Sequence, residues 1–172
     1  ECYLPFAKAV VENRKVPKAE KARFEYQANS LSQSQVGMTA PDFEWTAPDG
    51  SKGRLSDIPA GMYVLLFFND PDCDECELAR VRLAADYNLN DLIDRQLLKV
   101  VSIYPGEMTD EWVDRTSVYN KKWIVGAAPE VDEMYDMRNP PVIYYLNGKH
   151  EILSKTFDID SLLEAFRVVK NK

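Results

Sequence analysis

The stretch "YVLLFFNDPDCDECELARVRL", Tyr63 to Leu83, decides the fold. Tyr63–Phe68 is a short, unbroken apolar run, the pattern of a strand buried on both faces. "NDPD" then turns the chain, and Cys73 opens a predicted helix that brings Cys76, Leu83 and Tyr87 near one face. Five carboxylates surround the cysteines: Asp70, Asp72, Asp74, Glu75 and Glu77. A thiol attacks only as its thiolate. The helix N-terminus favours that ion, whereas negative neighbours oppose it.

A Cys-x-x-Cys pair has three common readings. As half of a zinc site it needs two more ligands. The only histidine, His150, follows a hairpin turn and is expected to be solvated, so no metal site is expected. As a structural disulfide it closes a loop too short to gain much from chain entropy. As a redox pair it wants one sulfur at a helix N-terminus and the other one turn in, and that is where strand and helix place Cys73 and Cys76. Cys2 is left over near the start of the chain and is read as a bystander.

Working outward, Phe43, Trp45 and Ala47 alternate with polar residues before the turn "PDGS", which predicts a hairpin or an extended arm. Leu97–Tyr104 reads as a second buried strand. "TDEWVDRTSVY" reads as a helix capped by Thr109. Pro141–Leu146 and His150–Phe157 are predicted strands joined by "NGK". A last helix begins near Asp160, with Leu162, Leu163, Phe166 and Val169 facing inward. The order β-α-β-α-β-β-α predicts an α/β sandwich with a mixed central sheet. The aromatic positions Trp112, Trp123 and Tyr144–Tyr145 are read as core or groove wall.

Before this domain, Tyr3, Phe6, Ala7, Val10 and Val11 recur at helical spacing, and Pro17 starts a second helix with Phe24, Ala28 and Leu31 on one face. "SLSQSQVG" is read as a polar linker. Residues 1–36 are therefore a helical extension and 37–172 the main domain.

The chain has 172 residues, 45% of them hydrophobic, and a net charge of −7 with pI about 4.8. That balance argues against nucleic-acid or anionic-membrane binding, and no stretch approaches the roughly 18 apolar residues of a membrane span. The chain opens at Glu1 without an initiator Met, which is compatible with a removed leader.

Two stretches carry a family resemblance. "GMTAPDFEWTAPDGSKGRLSDIPAGMYVLLFFNDPDCDEC", Gly37 to Cys76, resembles the opening of thioredoxin-like thiol-disulfide oxidoreductases of the TlpA and ResA type. "YDMRNPPVIYYLNGKHEIL" is similar to their second signature, a cis-proline leading into a strand, a turn and a return strand. The resemblance implies a thioredoxin-like sandwich, in a branch with an N-terminal helical extension. It implies that Cys73 attacks a partner disulfide, Cys76 resolves the mixed disulfide, and Pro141 is the cis-proline facing them. It also implies no cofactor, a protein thiol or disulfide partner, an upstream electron donor, and a periplasmic or otherwise extracytoplasmic location.

Three positions depart from the pattern. Pro140 has no N–H to offer an incoming peptide. Asp72 replaces the aromatic before the first cysteine, and Phe67 stands where better-known thioredoxins carry a buried carboxylate. A peroxiredoxin would need Thr where Asp70 stands. Pro140, Asp72, Asp74 and Glu75 are expected to face the partner, and the acidic surround to favour reduction of partner disulfides. The competing reading is a thioredoxin-fold interaction module with idle cysteines.

Overall fold

The computed structural model describes residues 3–137, 140–156 and 158–170, the last three by backbone alone. The expectations for Cys2, Phe157 and the Val169 side chain lie outside the described residues. Two helices come first, α1 (Tyr3–Glu12) and α2 (Lys18–Gln33), then a hairpin of β1 (Glu44–Thr46) and β2 (Lys52–Arg54). There follow β3 (Tyr63–Phe68), α3 (Asp74–Ala85), α4 (Tyr87–Asp94), β4 (Leu98–Tyr104), α5 (Asp110–Arg115), β5 (Ile124–Ala127) and α6 (Val131–Met134). The chain closes with β6 (Val142–Leu146), β7 (Ile152–Thr156) and α7 (Ile159–Lys170).

All seven strands form one sheet in the order β2-β1-β5-β4-β3-β6-β7. β3 pairs parallel with β4 and antiparallel with β6, while β4 and β5 are parallel. β3 is central and buried on both faces, which is why its sequence does not alternate. Val64, Leu66 and Phe68 pack with Phe43, Trp45, Tyr135 and Tyr144 on one face. Leu65 and Phe67 pack with Leu83, Leu89, Trp123 and Phe166 on the other.

The structure corrects four expectations. The predicted order lacked β5, α4 and α6. β5 is four residues long and contains Gly126, so its strand signal is weak. The glycine is required by packing, since a Cβ there would lie 2.5 Å from the Trp45 ring. Tyr87 does not face inward. Asp86 ends α3 and caps α4 by accepting from Leu89 N at 2.8 Å, which leaves Tyr87 72% exposed.

"SLSQSQVG" is not a linker. Its first four residues are the last turn of α2, and Ser30 and Ser34 are buried. Ser34 Oγ donates to Ser30 O at 3.0 Å and lies 3.1 Å from Tyr144 Oη, so these hydroxyls satisfy a helix end and dock it on the sheet. His150 is half-buried rather than solvated. It has φ 58°, and its Nε2 is buried and makes no hydrogen bond among the described residues.

Candidate active site

β3 ends at Phe68, and a tight turn carries the chain into α3. Asp72 N donates to Asp70 Oδ1 at 2.9 Å, and Cys73 N donates to Asp70 O at 3.2 Å. Asp and Pro favour such turns because the carboxylate bonds its own backbone two residues on. Cys73 is the N-cap of α3, in extended conformation, and its Sγ accepts the Cys76 N–H at 3.2 Å. A sulfur thus takes the place of the usual capping oxygen. The two sulfurs sit in different environments. Cys73 is half-buried, whereas Cys76 is 2% exposed. Burial first, and then the Cys73 side chain, pushes the Cys76 thiol up to about 12, against a backbone N–H of Asp70 that favours the thiolate.

The carboxylates divide. Asp72 is paired with Arg115 of α5, whose guanidinium also donates to Pro71 O at 3.3 Å and Glu111 Oε1 at 2.9 Å. The Asp72 hydrogen bond is the leading reason that the Arg115 pKa is raised. Glu77 lies 3.5 Å from Arg80. Asp74 and Glu75 are exposed in the first turn of α3, where the helix dipole favours negative charge.

Below the turn lies a buried polar cluster that the sequence did not reveal. Asn69, 3% exposed, donates to Phe67 O at 3.0 Å and Ser102 Oγ at 2.8 Å, and it accepts from Tyr119 Oη at 2.6 Å. Arg80 donates to Val118 O at 3.0 Å and stacks 5.3 Å over the Tyr119 ring. Burial raises the Tyr119 pKa, with Arg80 acting against it. Cys76, Arg80, Arg115 and Tyr119 line one groove of about 250 Å³. The signal for Asn69 was available, as a polar residue closing an apolar strand. Tyr119 and Arg115 are more than 40 residues from their partners and had none.

The Pro140–Pro141 peptide bond is cis. Pro141 is buried and Pro140 exposed. Phe68 is in register with Val142, so the diproline sits beside the end of β3 from which the cysteine turn departs. β4 and the groove flank that turn on one side, β6 and the prolines on the other. Strand pairing therefore brings the expected site residues to one end of the sheet. Among the described residues, no group of three or more His, Cys, Asp or Glu side chains could hold a metal ion. No described helix is long and apolar enough to cross a membrane.

No protein-family model and no curated protein matches the chain. Among solved structures, a thioredoxin-like protein from Bacteroides caccae matches 96% of the chain at 28% identity with a TM-score of 0.82. The chain has the thioredoxin-like fold. It spans 61% of the length of that Bacteroides caccae chain. The C-terminal domain of an uncharacterized Bacteroides fragilis protein is 32% identical over 78% of this chain and 99% of its own, with a TM-score of 0.72. The thioredoxin domain of a thiol-disulfide oxidoreductase from Bacteroides vulgatus shares the fold, at 20% identity and a TM-score of 0.68 over 78% of this chain and 97% of its own. The thioredoxin-like fold accounts for the mixed sheet, and α1 and α2 precede it in the chain.

Proposed function

We propose that this thioredoxin-like chain exchanges thiols and disulfides through Cys73 and Cys76, in the manner of the TlpA and ResA proteins, outside the cytoplasm. One observation carries the reading: a half-exposed sulfur caps a helix and a second sulfur is buried one turn inside it. The Cys73 thiolate attacks a partner disulfide, releases one partner sulfur as a thiolate, and forms a mixed disulfide. Cys76 then attacks Cys73 Sγ, and the Cys73–partner bond breaks. Two electrons have passed to the partner, the Cys76 proton ends on the departing sulfur, and a Cys73–Cys76 disulfide remains. An upstream dithiol donor restores the pair. We set exchange in the reductive direction, the one that the five carboxylates around the pair favour by opposing a thiolate.

Pro141 shapes the loop facing the pair, and Pro140 offers a partner peptide only its carbonyl. Asp72, Asp74 and Glu75 face the partner. Residues 69–80 and 104–118 carry nine carboxylates against two arginines, which equals the net −7 of the whole chain. This field favours basic partners. Residues 1–36 act as an extension docked on the 37–172 domain. The test is equilibration of the chain carrying Cys2→Ser in glutathione buffers of graded potential, with the thiols counted by alkylation. A pair that passes reversibly between two and no free thiols at a reducing potential supports the proposal. A pair that stays reduced and unreactive across the series sinks it.

A further inference from the structure

We propose that Arg115 is a positioning residue for the exchange reaction: it holds the peptide before Cys73 and cancels the Asp72 charge beside that sulfur, so that Asp72 adds no barrier of its own to an approaching anionic disulfide. The inference rests on the exchange reading above. Arg115 ends α5, which lies 42 positions along the chain from Cys73. Its Nη1 reaches Pro71 O at 3.3 Å and Asp72 Oδ1, and its Nη2 reaches Glu111 Oε1 at 2.9 Å. Two of the three acceptors belong to the two residues immediately before the nucleophile. The third belongs to Arg115's own helix and aims the guanidinium. A planar fork with several donors suits this bridging, which a lysine could not reproduce.

The setting explains why such a group is needed. Asp72 occupies the position directly before Cys73, and the charge of Asp74 follows directly after it. Asp74 belongs to the first turn of α3, where the helix dipole accommodates it. Asp72 lies outside the helix, so its counter-charge is Arg115. Asp72 and Arg115 are both solvent-exposed, so their pairing is screened by salt. Glu111 also faces Arg115, and Asp70, Glu77 and Arg80 line the same groove, so a lost guanidinium would leave Arg80, already beside Glu77, as the cation facing these carboxylates.

The test uses the full chain with Cys2→Ser and Cys76→Ser, so that Cys73 is the one thiol. Its rate is measured with dianionic dithiobis(nitrobenzoate) and with neutral dithiodipyridine. Arg115→Gln should slow the dianionic probe about five-fold and the neutral probe less than two-fold, the size expected of one exposed charge pair. The deficit should shrink in about 1 M salt. Adding Asp72→Asn should return the rate to within two-fold of the parent, and Asp72→Asn alone should speed the dianionic probe. An unchanged Arg115→Gln rate overturns the proposal. So does an equal loss with both probes that neither salt nor Asp72→Asn repairs. Failure of the exchange reading shows separately, as a native pair that does not cycle in redox buffers.

Discussion

Cys73 Sγ accepts the backbone N–H of Cys76 across 3.2 Å, so the sulfur nearer to solvent is also the cap of the helix that buries the other. One contact orders the two thiols. Cys73 is presented at the helix end, and Cys76 waits one turn below it.

Cys76→Ser should therefore accumulate mixed disulfides on Cys73 when the chain meets disulfide-bearing proteins, while Cys73→Ser should not. Non-reducing electrophoresis followed by mass spectrometry reads the result. Trapping by Cys73→Ser instead would reverse the two roles.

The Cys76 thiol also predicts an alkaline effect. Its ordinary value is 9.0 and burial raises it to about 12 in the folded, reduced chain. Below pH 9 both folded and unfolded states keep the proton, and the stabilising effect of burying a neutral thiol is fully present. Between pH 9 and 12 the unfolded state loses its proton first, so stability falls as pH rises. Reduced wild-type chain should lose more stability over this window than Cys76→Ser, measured by urea unfolding at stepped pH. Parallel curves would mean that the thiol is not held neutral.

Tyr119→Phe keeps the ring but leaves the buried Asn69 Oδ1 without its donor. An unsatisfied buried acceptor costs about 1–3 kcal/mol. Denaturant unfolding should register a loss in that range, and a change below about 0.5 kcal/mol would mean that Asn69 finds another donor.

Ser34→Ala removes the hydroxyl that meets Tyr144 at 3.1 Å. The loss should be about 1 kcal/mol. It should appear as faster amide exchange in α2 rather than in β3, because α2 docks from outside the sheet. Uniform acceleration across β3 and β4 would show that the contact supports the whole core.

The sequence by itself determined the elements whose signal is local. Tyr63–Phe68 is apolar without a break because a central strand is covered on both sides, and Thr109 caps α5 as its side chain predicts, accepting from Trp112 N at 3.2 Å. The cysteine turn followed from the same kind of evidence, a strand end meeting a helix start. β5 escaped because a four-residue strand with Gly126 is defined by its neighbours β4 and Trp45, not by its own residues. The last turn of α2 escaped because serines that read as linker are buried against Tyr144 once the helix docks. Only the tertiary structure decided how the site is charged. The sequence counts five carboxylates around the cysteines, but the charge felt there depends on which cations fold back onto them. Arg115 and Arg80 come to that turn from α5 and from one turn down α3. Electrostatic energy depends on distances in space, and those are set by the meeting of α5 with the turn that follows β3, which no spacing along the chain records.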